Sequence, residues 1–181
     1  MRKLLIAVSL IWPTISLAST QEVLDYFHQR GAENTKLVLS SDWFDCSEED
    51  SVKVFCLDAF KYYQQDTFAM VEFASAKPYK LTLFSDFSHS SYSQLLLNLR
   101  RDGYELASVT RFNKTFNVKD QSANYSPEEL DKAVIEFVNQ GGASVETRMV
   151  WKLDSDLKSS VATFNSNGRQ IELSFILHEK S

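Results

Sequence analysis

Residues 80 to 112 read KLTLFSDFSHSSYSQLLLNLRRDGYELASVTRF, and the boundaries inside this stretch set the fold class. Leu81 and Leu83 alternate with Lys80 and Thr82, the period of a half-buried strand. Ser85-Asp86 interrupts the strand, and Ser88 to Ser91 supplies turn and cap chemistry. With Ser91 as N-cap, Gln94 falls at the third helical position, where the pair satisfies two backbone groups reciprocally. Leu95, Leu96 and Leu99 form an apolar stripe, leaving Asn98, Arg100 and Arg101 to water. Gly103 stands where a left-handed residue ends a helix, and Tyr104 to Phe112 returns as a strand. A helix this short is marginal alone, so its leucines need a sheet to pack on. The stretch is a core element, not a site.

Upstream, Ser19 or Thr20 caps a helix through Gln29 that carries Val23, Leu24 and Phe27 and stops at Gly31. Lys36 to Phe44 reads as a strand with Leu37, Leu39 and Trp43 on one face. Val52 to Phe60 is its returning partner, although Leu57 to Tyr63 also has the spacing of a helical turn. Thr67 to Ser75 alternates cleanly, Ala69, Val71 and Phe73 against Phe68 and Met70. Downstream, Asn113 to Tyr125 is a polar loop with Phe116 and Val118 on a short edge strand. Ser126-Pro127-Glu128-Glu129 starts a helix whose buried stripe is Leu130, Val134, Phe137 and Val138, ended by Gly141-Gly142. Strands follow over 143–153, 158–164 and 171–177, with Asn167-Gly168 as a hairpin turn.

These elements predict an α+β fold with a largely antiparallel sheet and about three helices. Val23 to Ala32 also aligns without gaps with Val134 to Ala143. The echo suggests two α-β-β-β halves, residues 20–75 and 126–181, around the central β-α-β unit. Residues 1–18 have the pattern of an export signal: Arg2-Lys3, the apolar run Leu4 to Trp12, then Ser16-Leu17-Ala18. Cleavage after Ala18 leaves residues 19–181 as a single compact domain in the periplasm or outside the cell, with no stable membrane insertion. It removes two cations and no acid, taking the formal charge from −5 to −7. So acidic a chain is a poor non-specific ligand for nucleic acid or anionic lipid.

Cys46 and Cys56 are the two cysteines, and in an exported chain they pair most simply with each other. A redox pair has closer spacing, and no further ligand set completes a zinc site, so neither a metal nor a cofactor is expected. From Asp42 to Asp50 the chain is strongly acidic: Asp42, Asp45, Glu48, Glu49 and Asp50. No glycine or D-x-D-x-D ladder makes it a calcium loop. It is either a solvated charge run or, with Trp43 and Phe44 beside it, a face for a basic protein partner. Asp86, Ser88 and His89 lie within one turn, where polar residues cap helices far more often than they form a catalytic set.

Leu81 to Leu106, within a run readable as β-α-β-β-α-β from Tyr79 to Val150, resembles one half of the sporulation-related repeat that binds peptidoglycan. That family has a glycine before the Ser-Phe of its opening, where this chain has Leu83-Phe84-Ser85-Asp86-Phe87. Export, acidity and the lack of a catalytic constellation point to a non-enzymatic protein that binds a protein partner, as an inhibitor, immunity factor or envelope-sensor accessory does. An envelope glycan- or small-ligand-binding module is the alternative, and an enzyme the third reading.

Overall fold

The computed structural model describes residues 20–28, 37–48, 52–154 and 158–179. The leader, residues 29–36 with the expected helix end at Gly31, residues 49–51 with Glu49 and Asp50, residues 155–157 and the last two residues lie outside the described residues. In chain order the elements are α1 (Thr20–Phe27), β1 (Phe44–Asp45), β2 (Lys53–Tyr62), β3 (Gln65–Ala74), β4 (Lys77–Asp86) and α2 (His89–Arg101). There follow β5 (Glu105–Arg111), β6 (Lys114–Asn117), α3 (Val118–Gln121), α4 (Pro127–Asn139), β7 (Thr147–Asp154), β8 (Lys158–Ser166) and β9 (Gln170–Glu179). The strands form one nine-stranded sheet in the order β1-β2-β3-β4-β9-β8-β7-β5-β6. Every pairing is antiparallel.

Two three-strand meanders, β2-β3-β4 and β7-β8-β9, meet along β4 and β9. The strand–helix–strand stretch of residues 80–112 is therefore split. β9, β8 and β7 lie between β4 and β5, and α2 carries the chain across them. This order also departs from a β-α-β-β-α-β unit with its own sheet. The C-terminal meander supplies β4 with a partner that no local pattern announces.

Directly paired residues share a sheet face. On one face, Val71, Leu81, Phe175, Ala162 and Trp151 are successive cross-strand partners. Ala69, Leu83, Leu173, Phe164, Met149 and Val109 form the next row, and both rows are buried. Val23, Leu24 and Phe27 of α1 and Tyr92, Leu95 and Leu99 of α2 cover them. α4 lies over the β5–β6 end of the same face, where Phe137 meets Phe116 at a ring separation of 5.6 Å.

The cap of α4 forms as its sequence predicts, with Ser126 and Glu129 exchanging hydrogen bonds. Its apolar stripe is only half-buried, because β6 beneath it is four residues long. The Arg111 guanidinium, buried, donates to the carbonyls of Val138 and Gly142 and so holds the C-terminal end of α4.

Four local expectations change, and one ambiguity is resolved. Residues 37–43 are not a strand: Ser40 to Trp43 forms a turn closed by Trp43 N to Ser40 O at 3.2 Å, and pairing begins only at Phe44. Leu37 and Trp43 are buried nevertheless. Ser88, not Ser91, caps α2, accepting from Ser91 N at 2.9 Å. Asn98 is buried, because its amide donates to the Tyr62 carbonyl at 3.1 Å. The segment after β5 is not wholly loop: β6 takes Phe116, and Val118 begins α3 instead of extending the strand. Leu57 to Tyr62 is strand, interrupted by a bulge between Leu57 and Phe60.

The β8–β9 turn uses Gly168 at φ +79°, where a Cβ would come within 2.3 Å of the Ser144 carbonyl oxygen. Cys46 and Cys56 are bonded, joining the end of β1 to the middle of β2. The loop they close spans a sequence separation of 10. Replacing Cys56 by Ser is expected to cost about 2–3 kcal/mol, or a melting midpoint lower by roughly 5–10 °C. Circular dichroism should show the same fold on melting. Free thiols titrating in the non-reduced wild-type protein would refute the bond.

Candidate partner-binding face

The helices α1, α2 and α4 contact one face of the sheet, which leaves the opposite face as the larger uncovered surface among the described residues. An antiparallel sheet tolerates this when that face alternates polar and apolar residues. Its central row runs Phe44, Cys56, Met70, Thr82, Ser174, Thr163 and Val150, each paired with the next. A second row holds Phe68, Phe84, Glu172, Asn165 and Arg148.

The two ends of this face differ in chemistry. Toward β7 it is polar: Thr82 and Ser174 hydroxyls meet at 3.2 Å, and Ser174 donates on to Glu172. Toward β1 it is aromatic: the Phe68 and Phe84 rings lie 6.0 Å apart, half-buried, with Met70 in the neighbouring row and Phe44 beyond it, 46% exposed. The disulfide sits in the Phe44–Met70 row and locks β1 to the sheet, so Phe44 is presented on a short covalently fixed edge.

Carboxylates border the aromatic end. Asp42, Asp45 and Glu48 are exposed. Asp45 accepts from Ser47 N at 2.9 Å and faces Lys53 at 3.7 Å; the Ser47 contacts, then Lys53, hold its carboxyl below its ordinary value. At the Lys80 side, Glu72 pairs with Lys80 at 2.7 Å and accepts from the Tyr79 hydroxyl at 2.6 Å. Burial opposes Glu72 ionising, yet Lys80 and Tyr79 outweigh it and lower its pKa; the same bond raises Tyr79 to about 12. Where β3 begins and β4 ends, against the first turn of α2, a groove of about 580 Å³ opens. Asp58, Asp66 and Asp86 line it together with Phe68, Phe84 and Phe87.

The residues singled out in the acidic segment therefore separate. Trp43 packs edge-on against Phe60 at 6.1 Å and belongs to the core. Asp42, Phe44, Asp45 and Glu48 are at the surface, and Glu49 and Asp50 lie outside the described residues. Phe68, Met70, Phe84 and Asp58 were not singled out. The alternation in β3 does place Phe68 and Met70 away from the core side, but only the strand order shows that nothing described covers them.

The Asp86-Phe87-Ser88-His89 turn does not assemble a catalytic set. Ser88 is spent on the cap, accepting from Ser91 N and donating to Ser91 Oγ at 2.8 Å, and His89 is exposed. His28 and Asp102 do meet, at 3.5 Å between Nδ1 and Oδ2, but with side chains 1% and 0% exposed. Tyr62 donates to Asp102 at 2.6 Å, and Tyr63 also donates to it. Burial, then the Asp102 charge, pushes the Tyr62 hydroxyl far above the usual tyrosine range, so it remains a donor. This cluster ties α1, β2 and the end of α2 together inside the core. Among the described residues no group of three or more His, Cys, Asp or Glu side chains is arranged to hold a metal ion. No described helix is long and apolar enough to cross a membrane.

Fold and surface together define a two-layer α+β protein with a disulfide-locked edge and an aromatic, acid-bordered sheet face. No family model, curated protein or solved structure matches the chain.

Proposed function

We propose that this is an exported, non-enzymatic periplasmic protein that binds a basic protein partner through the β1–β4 end of its uncovered sheet face. The observation that carries the reading is Phe44, an exposed aromatic in one row with Met70, on the face whose next row holds the half-buried Phe68 and Phe84. Exposed apolar groups gathered on one surface and bordered by charge are characteristic of interaction sites, whereas apolar residues scattered singly are not. Acidic borders accelerate encounter with a basic partner, and a disulfide-fixed edge lowers the ordering cost of binding. The leader pattern in residues 1–18 supports export, and two bonded cysteines suit an oxidising compartment. The α1-led and α4-led meanders, with the echo between Val23–Ala32 and Val134–Ala143, support an ancestral duplication as the origin of the fold.

The charge part of the reading is tested on the partner captured from periplasmic extract. Asp42→Lys, Asp45→Lys and Glu48→Lys together should slow association at low salt by roughly tenfold or more and flatten its salt dependence. Dissociation should change little, since border charges act mainly on encounter. Equal association rates for wild type and triple variant at low salt would move the interface off this face.

A further inference from the structure

The groove between the start of β3 and the end of β4 has a chemistry more specific than the face it adjoins. We infer that it is the pocket for a lysine or arginine side chain of the partner, presented on an extended basic segment; this rests on the protein-binding reading above. It is an open groove of about 580 Å³, roomy enough to admit one long side chain. Its carboxylates come from three strands: Asp58 from β2, Asp66 from β3 and Asp86 from β4. Asp58 falls in the β-bulge between Leu57 and Phe60, and a bulge re-aims the side chains it carries.

The charge balance favours a cation. Among the described residues no lysine or arginine lines the groove. Lys61 answers Asp66 at 2.9 Å, but that pair is exposed, 64% and 75%, and worth little. The first turn of α2 adds about half a positive charge, part of which Ser88 and Asp86 already offset. Arg169 is near through its carbonyl, which accepts from Phe87 N, and is not a lining residue. Three carboxylates against one exposed lysine and a partial dipole leave the groove negative. Phe68, Phe84 and Phe87 then supply ring surface for the methylene stem and for a cation over a ring face. A neutral sugar would use the same rings but gain nothing from the net charge.

The test uses the full exported protein, oxidised and isotope-labelled, titrated with a capped Gly-Lys-Gly-Arg-Gly peptide and followed by NMR. Amide shifts should saturate at Phe68, Phe84, Asp86 and Ser88. The affinity should fall as salt rises, and roughly two- to fivefold for each of Asp58→Asn and Asp86→Asn. The same peptide with acetyl-lysine and citrulline should not bind. Absence of saturable shifts, or shifts indifferent to both substitutions, overturns the inference. So does an N-acetylglucosamine oligomer that moves these amides where the peptide does not, which would assign the groove to glycan. A captured partner that binds through Phe44 and Phe84 with no peptide in the groove fails this inference alone. Peptide binding with no partner protein fails the broader reading instead.

Discussion

Asp102→Ala is expected to destabilise the protein by about 3–5 kcal/mol, lowering the melting midpoint by roughly 10–15 °C. Asp102 is 5% exposed and accepts from the hydroxyls of Tyr62 and Tyr63 while facing His28 Nδ1 at 3.5 Å. Removing its carboxylate leaves two tyrosine donors and a histidine without that acceptor, inside a site walled by Phe175 and Tyr104. The cost is the desolvation of groups left unanswered, which exceeds the net value of the bonds themselves. Two companions separate that cause from general damage. Tyr63→Phe removes one donor and leaves the carboxylate, so it should cost about 1 kcal/mol. His28→Leu combined with Asp102→Ala should recover part of the single-variant loss, because a buried pair removed whole costs less than one partner removed. Thermal melting of the three variants decides this, and a loss under about 1 kcal/mol for Asp102→Ala would mean the cluster does not hold α1 and α2 to β2.

The second large effect concerns binding. Phe44→Ala with Phe84→Ala should weaken the partner complex by about 2–4 kcal/mol, or roughly thirtyfold to a thousandfold. Phe44 is 46% exposed and Phe84 half-buried, so truncating them removes little core and the fold should persist. Phe112 and Ile135, each 56% exposed, are equally apolar but flank the helix-covered side near α4. Alanine at those two positions controls for hydrophobicity alone.

What could be read from the sequence was local, and what escaped it was pairing. The Ser126–Glu129 cap, the Asn167-Gly168 turn and the alternation in β3, β7 and β9 each depend on neighbours within a few residues, and each is present. The cysteine pair followed from the spacing of the two cysteines and the leader pattern of residues 1–18. The β4–β9 pairing brings Leu83 to Leu173 across about half of the chain, and nothing in either strand names its partner. Asn98 looked solvent-facing because its acceptor, the Tyr62 carbonyl, is distant in sequence. Trp43 looked like an anchor because its acidic neighbours suggested a surface, while Phe60 buries it. Ser88 and Ser91 are both good caps, and the backbone chose the earlier one. The groove could not be read at all, since it exists only once β2, β3, β4 and α2 are assembled.

Capture from periplasmic extract with the oxidised protein, residues 19–181, as bait and read by mass spectrometry tests the proposed partner binding most directly. Run beside it are the Phe44→Ala/Phe84→Ala variant and the Phe112→Ala/Ile135→Ala control, both verified to melt near the wild type. The account predicts a discrete partner retained by wild type and control, released by raised salt and lost from the Phe44/Phe84 variant. A partner held equally by all three proteins, or none held by any, would contradict it.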